Sequence, residues 1–232
     1  MFVNKRVYNK TFGKIVRTLG FILILASSLY VLTQMLLGST LSFVQAAIPY
    51  ATQINDIIAG IPILAEYITV GFVAGFILLV WAIRRGLILR LLVTVGLLFV
   101  FIQSGFQGPN PLIPVSVLAP SWIAPLLNAI ADPLQQVVAL NEYIIPGVAV
   151  AVPVLLWAVF ANKKPGRLST FMLRIATTLL FLVVLATFGV DMFLPTFAAN
   201  ASYILVQGVL YLASYLFLVL GGVFGVLGFA RK

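Results

Sequence analysis

The sequence predicts an all-α, polytopic integral membrane protein with six transmembrane helices, arranged as three helical hairpins. Of its 232 residues, 62% are hydrophobic and only 8% are charged, whereas soluble domains carry about 25% charged residues. The apolar residues form runs long enough to cross a bilayer as helices of about 20 residues. They do not alternate with polar residues, as the strands of a membrane barrel would. We therefore expect a single membrane domain over 1–232.

The six predicted spans define three hairpins, preceded by a basic segment over 1–17. The hairpins cover 18–83, 87–161 and 170–229, and the spans cover 18–38, 62–83, 87–106, 143–161, 170–193 and 201–229. Pro62 is suited to the first helical position, where its missing N–H breaks no hydrogen bond. The connections 39–61 and 107–142 are too apolar for solvated loops. We expect them to form short helices that lie in or dip into the outer leaflet.

The basic residues predict the orientation of the spans. All fourteen Lys and Arg residues lie before span one, at the junctions of spans two with three and four with five, or after span six. The five acidic residues lie at the opposite ends of the spans. The positive-inside rule then places both ends of the chain in the cytoplasm, in a multi-pass protein of the cell membrane. We expect the cytoplasmic clusters to contact anionic lipids, with Arg90 and Arg174 a turn inside their spans.

Four aromatic residues mark the predicted membrane boundaries. Tyr67 and Tyr143 begin spans two and four on the outside, and Trp81 and Trp157 precede the cytoplasmic clusters. Amphipathic rings are enriched at the headgroup level of membranes. We interpret these four residues as interface anchors.

An internal repeat relates the first two hairpins. A shift of 76 residues aligns 46–82 with 122–158 without a gap, and 11 of the 37 aligned positions are identical. The matches include Glu66-Tyr67 with Glu142-Tyr143 and Trp81 with Trp157. Because a hairpin returns the chain to its starting side, successive hairpins share one orientation and form parallel repeats.

The composition argues against catalysis. The chain has no cysteine and no histidine, which removes thiolate chemistry, the commonest general base and the commonest transition-metal ligands. We expect no enzymatic activity, no cofactor and no metal. A lipid-modifying enzyme would need a carboxylate pair from different hairpins, such as Asp132 with Asp191. The basic clusters separate apolar spans and form no water-exposed basic face, so direct nucleic-acid binding is not expected.

Glu66 and Glu142 are candidate ion or proton sites because they occupy equivalent places in the repeat, near the outer boundary. Ionisable residues in a span are costly to bury and often functional. The alternative is that both carboxylates reach external water beside their tyrosines. The composition does not separate these two interpretations.

Prolines and glycines indicate where helices bend or approach closely. Pro146 and Pro153 in span four are candidate kinks, since proline removes a backbone donor from the helix. Gly221 and Gly225 form a GxxxG pattern in span six, a candidate helix-packing surface. It suits a helix of the same chain, a second copy or another subunit.

Two functions remain open at the level of sequence. The first is a non-enzymatic membrane subunit of a channel, translocation machine or other multi-protein assembly, as a homo-oligomer or with other membrane subunits. Conjugation-like DNA transfer is one architectural analogy. The second is an autonomous transporter or channel for a small ion or solute that uses Glu66 and Glu142.

Overall fold

The computed structural model describes residues 5–39, 41–83, 86–107, 112, 125, 129, 144–161 and 168–230. Every regular element within these residues is helical, which confirms the all-α prediction. Three helices are long and apolar enough to cross a membrane, over Phe12–Leu37, Leu168–Val190 and Ala201–Gly228, and three shorter apolar helices accompany them. Helices of this length and composition indicate a multi-pass membrane protein.

Apart from α1, which begins at Lys5 and not at the predicted residue 18, the long helices begin and end close to the predicted spans. They are α1 (Lys5–Leu37), a 3₁₀ helix (Ser42–Ala47), α2 (Ile48–Ala59), α3 (Pro62–Ile83), α4 (Leu87–Gln107), α5 (Ile145–Ala161), α6 (Leu168–Phe193), α7 (Pro195–Ala198) and α8 (Ala201–Ala230). Proline stands in the first turn of α2, α3 and α7, where its fixed φ suits a helix start. Because α1 begins at Lys5, residues 5–17 of the basic segment continue directly into the first span.

The six long helices form a closed ring of neighbours. Going round the ring, α1 packs on α3, α3 on α4, α4 on α5, α5 on α6, α6 on α8, and α8 returns to α1. The most extensive contacts are those of α6 with α8 and of α1 with both α3 and α8. Chain order thus sets ring order, since helices that follow one another in the chain are usually adjacent in space.

Glycines let α1 approach both of its long neighbours closely. A Cβ atom added to Gly75 of α3 would lie 3.0 Å from the carbonyl oxygen of Gly20, and Gly71 lies one turn away on the same face. On the other side, a Cβ atom added to Gly225 of α8 would lie 2.2 Å from the ring of Phe21. Small residues spaced four apart permit such close contact between membrane helices. Helix α1 is therefore held between two glycine faces.

The same contacts show which helix ends lie together. Phe21 lies against Gly225, and Leu173 lies against Gly221, so the middle of α1 and the start of α6 are beside the last turns of α8. The end of α3 also lies beside the middle of α1, since Leu79 contacts Gly20, and Arg17 lies one turn before Gly20. Three arginines therefore share one end of the bundle, which we call the basic end: Arg17, Arg90 and Arg174. Helix α2 follows the far end of α1 and lies at the opposite end.

Candidate functional site

Aromatic side chains fill the space between α3, α5 and α8. The rings of Phe72 and Phe76 are 5.0 Å apart, Phe72 lies 6.1 Å from Tyr215, and Phe76 lies 6.4 Å from Phe160. All four side chains are buried. Aromatic pairs at these separations add attraction beyond that of their buried area. The centre of the described bundle is thus a packed aromatic cluster.

The chain that follows α4 reaches into this interior. The hydroxyl of Tyr215 donates a hydrogen bond of 2.5 Å to the carbonyl oxygen of Leu112, which is itself buried. Tyr215 lies about 21 Å along α8 from Ala201, near the middle of that helix. The second connection therefore enters the bundle at Leu112. The sequence predicts that this connection dips towards the membrane, but the periodicity of α8 gives no sign of its partner.

Several polar side chains inside the spans form hydrogen bonds within the chain, whereas the buried Oγ of Ser28 has no partner among the described residues. The hydroxyls of Thr33, Thr177 and Ser214 donate to carbonyl oxygens one turn earlier in their own helices. Between helices, the amide of Gln207 in α8 donates to Thr187 in α6 over 2.8 Å. Such bonds satisfy polar groups that hydrocarbon cannot solvate. They leave few donors and acceptors of these residues for a solute.

The two candidate glutamates are not brought together by the described residues. Glu66 is the fifth residue of α3, and its side chain lies outside the part of the chain that the structure describes. Glu142 lies outside the described residues altogether. Their role as ion or proton sites stays a prediction. The nearby acid that the structure does describe is Asp56, exposed on α2.

Three of the four predicted interface anchors are partly exposed. Tyr67 is 38% exposed, Trp81 40% and Trp157 46%; Tyr143 lies outside the described residues. Trp81 and Trp157 lie within the last turn or so of α3 and α5. Partial exposure of this kind suits an amphipathic ring at a membrane boundary, and the role of these residues as interface anchors stays a prediction.

The two candidate kink prolines occupy different parts of α5. Pro146 is the second residue of the helix, where proline breaks no intrahelical hydrogen bond. Pro153 is buried in the interior of the helix, so the carbonyl of Ala149 lacks the amide that would normally bond to it. Ala149 is fully buried. The weak point of α5 is therefore the turn between Ala149 and Pro153.

The GxxxG pattern of α8 packs within this chain. Gly221 contacts Leu173 of α6 and Gly225 contacts Phe21 of α1. The sequence reasoning missed a second pattern of the same spacing, Gly71 and Gly75 in α3, which faces α1. The spacing of these glycines is visible in the sequence, and the shift of 76 residues in the internal repeat pairs Gly71 with Gly147. In the structure Gly147 meets nothing within 4 Å, so the aligned glycines have different surroundings.

Helix α2 presents three different faces. Ala51 and Ile58 are buried against the bundle, Tyr50 and Ile57 are 69% and 67% exposed, and Asp56 is exposed. Successive residues of a helix are turned by roughly 100°, so residues 56, 57 and 58 point in turn to a polar, an apolar and a buried side. A hydrogen bond of 2.7 Å between Gln34 and Asn55 ties the helix to α1. These faces suit a helix lying in a membrane interface.

At the basic end, two arginines in corresponding places have different surroundings. Arg174 donates from Nε to the carbonyl of Phe160 over 2.9 Å and from Nη2 to that of Ala161, which are the last carbonyls of α5. A cation at the end of a helix satisfies free carbonyls and the helix dipole. Arg90 lies instead over the ring of Trp81, 5.4 Å from its centroid.

Comparison with known proteins gives no relative: no family model, no curated protein and no solved structure matches the chain. Among the described residues, no group of three or more acidic, histidine or cysteine side chains could hold a metal ion.

Proposed function

We propose that the chain is a non-enzymatic integral membrane subunit of a multi-protein assembly, such as a channel or translocation machine. In this proposal it spans the membrane six times as three same-way hairpins, with both ends and the basic end of the bundle in the cytoplasm. Helices α3, α4 and α5 act as spans because their 22, 21 and 17 residues reach about 25–33 Å, close to the hydrocarbon thickness.

The observation that best supports this proposal is the filled interior of the bundle. Phe72, Phe76, Phe160 and Tyr215 are in contact at the centre, and Leu112 closes the same space from the second connection. A transport site for a small solute usually needs clustered polar groups or broken helices near the middle of the membrane. An apolar centre of this kind supports a protein that acts through its outer surface, together with other chains, more than one that passes a solute through a single copy.

The outer surface offers a broad apolar area for such contacts. Six large apolar side chains of α4 are exposed: Leu87, Ile88, Leu91, Leu92, Val95 and Leu98. In a bilayer this surface contacts lipid tails or the helices of other subunits, since both are equally apolar.

Single-cysteine labelling tests the orientation, because the chain has no native cysteine. We expect a membrane-impermeant maleimide to label Asp56→Cys in intact cells and Lys164→Cys only after permeabilisation. Labelling of position 164 from outside would overturn the proposed orientation.

Oligomeric mass and flux test the subunit role. We expect the complex extracted from native membranes to contain more than one chain, and the purified chain alone to give vesicles no proton or cation flux above that of protein-free vesicles. Flux that is lost in Glu66→Gln/Glu142→Gln but retained in the matched control Asp56→Asn would establish the autonomous transporter instead.

A further inference from the structure

The guanidinium group of Arg90 lies over an aromatic ring, whereas that of Arg174 donates hydrogen bonds to backbone carbonyls. The Nε atom of Arg90 is buried and has no hydrogen-bond partner in the described structure. Its guanidinium carbon lies 5.4 Å from the ring centroid of Trp81. The residue as a whole is partly exposed. Arg174, in contrast, donates to two backbone carbonyls of α5. Arg90 and Arg174, near the starts of α4 and α6, thus differ in whether their guanidinium donors are already hydrogen-bonded within the protein.

The indole beneath Arg90 is held in place by its own hydrogen bond. Trp81 donates from Nε1 to the hydroxyl of Thr94 over 3.0 Å, and that hydroxyl donates to the carbonyl of Arg90 over 2.7 Å. This chain of bonds fixes α3 to α4 at the basic end. A guanidinium lying over an aromatic ring is attracted through its face. This attraction does not use the N–H groups of the guanidinium, whose planar fork matches the oxygens of a phosphate.

The surroundings of this pair are those of a lipid headgroup. Trp81 is partly exposed, and α4 exposes Leu91, Leu92 and Val95 in the turns that follow Arg90, while Ile88 is exposed just before it. A phosphate bound at Arg90 would therefore place its acyl chains along an apolar helix surface. Free phosphate would gain nothing from that surface, whereas a phospholipid would gain contact with it.

We propose that Arg90 and Trp81 form a binding site for the phosphate of an anionic phospholipid in the leaflet at the basic end. The proposal rests on the membrane-spanning arrangement given under the proposed function. The guanidinium holds the phosphate oxygens, the indole fixes the guanidinium, and the exposed leucine and isoleucine side chains of α4 contact the acyl chains.

Lipid titration in nanodiscs tests the site. The purified protein is placed in phosphatidylcholine nanodiscs with increasing phosphatidylglycerol, and bound phosphatidylglycerol is counted by native mass spectrometry. We expect Arg90→Gln to weaken binding by about tenfold or more, since a charge-assisted hydrogen bond is lost. Arg90→Lys retains the charge but not the planar fork, so we expect it to recover only part of the affinity.

A matched control separates this site from general positive charge. Lys14 is an exposed cation of α1 near the same end of the bundle, and Lys14→Gln should weaken binding much less than Arg90→Gln, because it removes only diffuse attraction to the leaflet. An equal loss in Lys14→Gln and Arg90→Gln would replace the site by diffuse attraction, and an unchanged affinity in Arg90→Gln would overturn it. Displacement of phosphatidylglycerol by inorganic phosphate would assign the site to a soluble ligand. A wild-type protein that spans the nanodisc but retains no phosphatidylglycerol would remove the lipid site while leaving the subunit proposal intact.

Discussion

Replacing Gly225 by alanine should force α8 away from α1. The new Cβ atom would lie 2.2, 2.3 and 2.6 Å from three ring atoms of Phe21, whereas carbon atoms normally stay about 3.5–4.0 Å apart. Because Phe21 is buried, its ring cannot turn aside into open space. Either the ring or the helix axis must move by more than about 1 Å.

The magnitude follows from two opposing terms. Overpacking of a filled core costs about 1–3 kcal/mol, while alanine in place of glycine inside a helix gains about 0.5–1 kcal/mol. Gly228 is a matched control, because it lies one turn further along α8 and meets nothing within 4 Å. Gly228→Ala should therefore show only the gain in stability that alanine gives inside a helix. The difference between the two variants isolates the contact with Phe21, at about 1–3 kcal/mol.

Reversible unfolding in mixed detergent micelles measures both variants against the wild type. We expect Gly225→Ala to unfold at lower denaturant than Gly228→Ala, and Phe21→Leu to restore part of the lost stability in the double variant. Equal stabilities for Gly225→Ala and Gly228→Ala would refute the close packing of α8 on α1.

Three other changes test separate parts of the bundle. Arg174→Met should lower the free energy of unfolding by about 1.5–3 kcal/mol in the same micelle assay, because the last carbonyls of α5 lose a charged donor; an unchanged midpoint would contradict that role. Tyr215→Phe should increase maleimide labelling of a cysteine at position 112, since the bond holding the second connection is lost, and equal labelling rates would show that the bond does not retain it. Spin labels on single cysteines in α2 should collide mainly with oxygen at Tyr50 and mainly with a water-soluble nickel complex at Asp56, and the same accessibility at both positions would argue against an interfacial helix.

The sequence predicts the helices of this fold better than their contacts. Span lengths follow from local composition, so α3 begins at Pro62 and ends at Ile83 as predicted. Which glycines lie against a neighbour depends on how the helices are rotated. Gly71 and Gly147 are aligned in the repeat, yet a Cβ atom on Gly71 would lie 2.8 Å from the hydroxyl of Ser27 and one on Gly147 would meet nothing. Periodicity within one helix does not contain that information.

In the candidate site, too, the sequence predicts the positions of residues but not their contacts. The positive-inside rule predicts basic residues at both helix starts, but it treats Arg90 and Arg174 alike. Their difference arises because α5 ends beside Arg174, whereas the indole of Trp81 lies beneath Arg90. These are contacts between separate helices, and sequence spacing does not determine them. The hydrogen bond from Tyr215 to Leu112, which holds the second connection, could not be predicted for the same reason.

The closed ring also implies an order of assembly during synthesis. Its final contact joins α1 to α8, helices whose facing residues Phe21 and Gly225 are about 200 residues apart in the chain. At about 5–20 residues per second, α1 enters the membrane roughly 10–40 s before α8 is made. Throughout that interval the flank of α1 that will meet α8 must be covered by lipid or by the insertion machinery. The carbonyl of Leu112 likewise has no Tyr215 hydroxyl to accept from until 103 further residues have been made. The bundle therefore reaches its final packing only after α8 has entered the membrane.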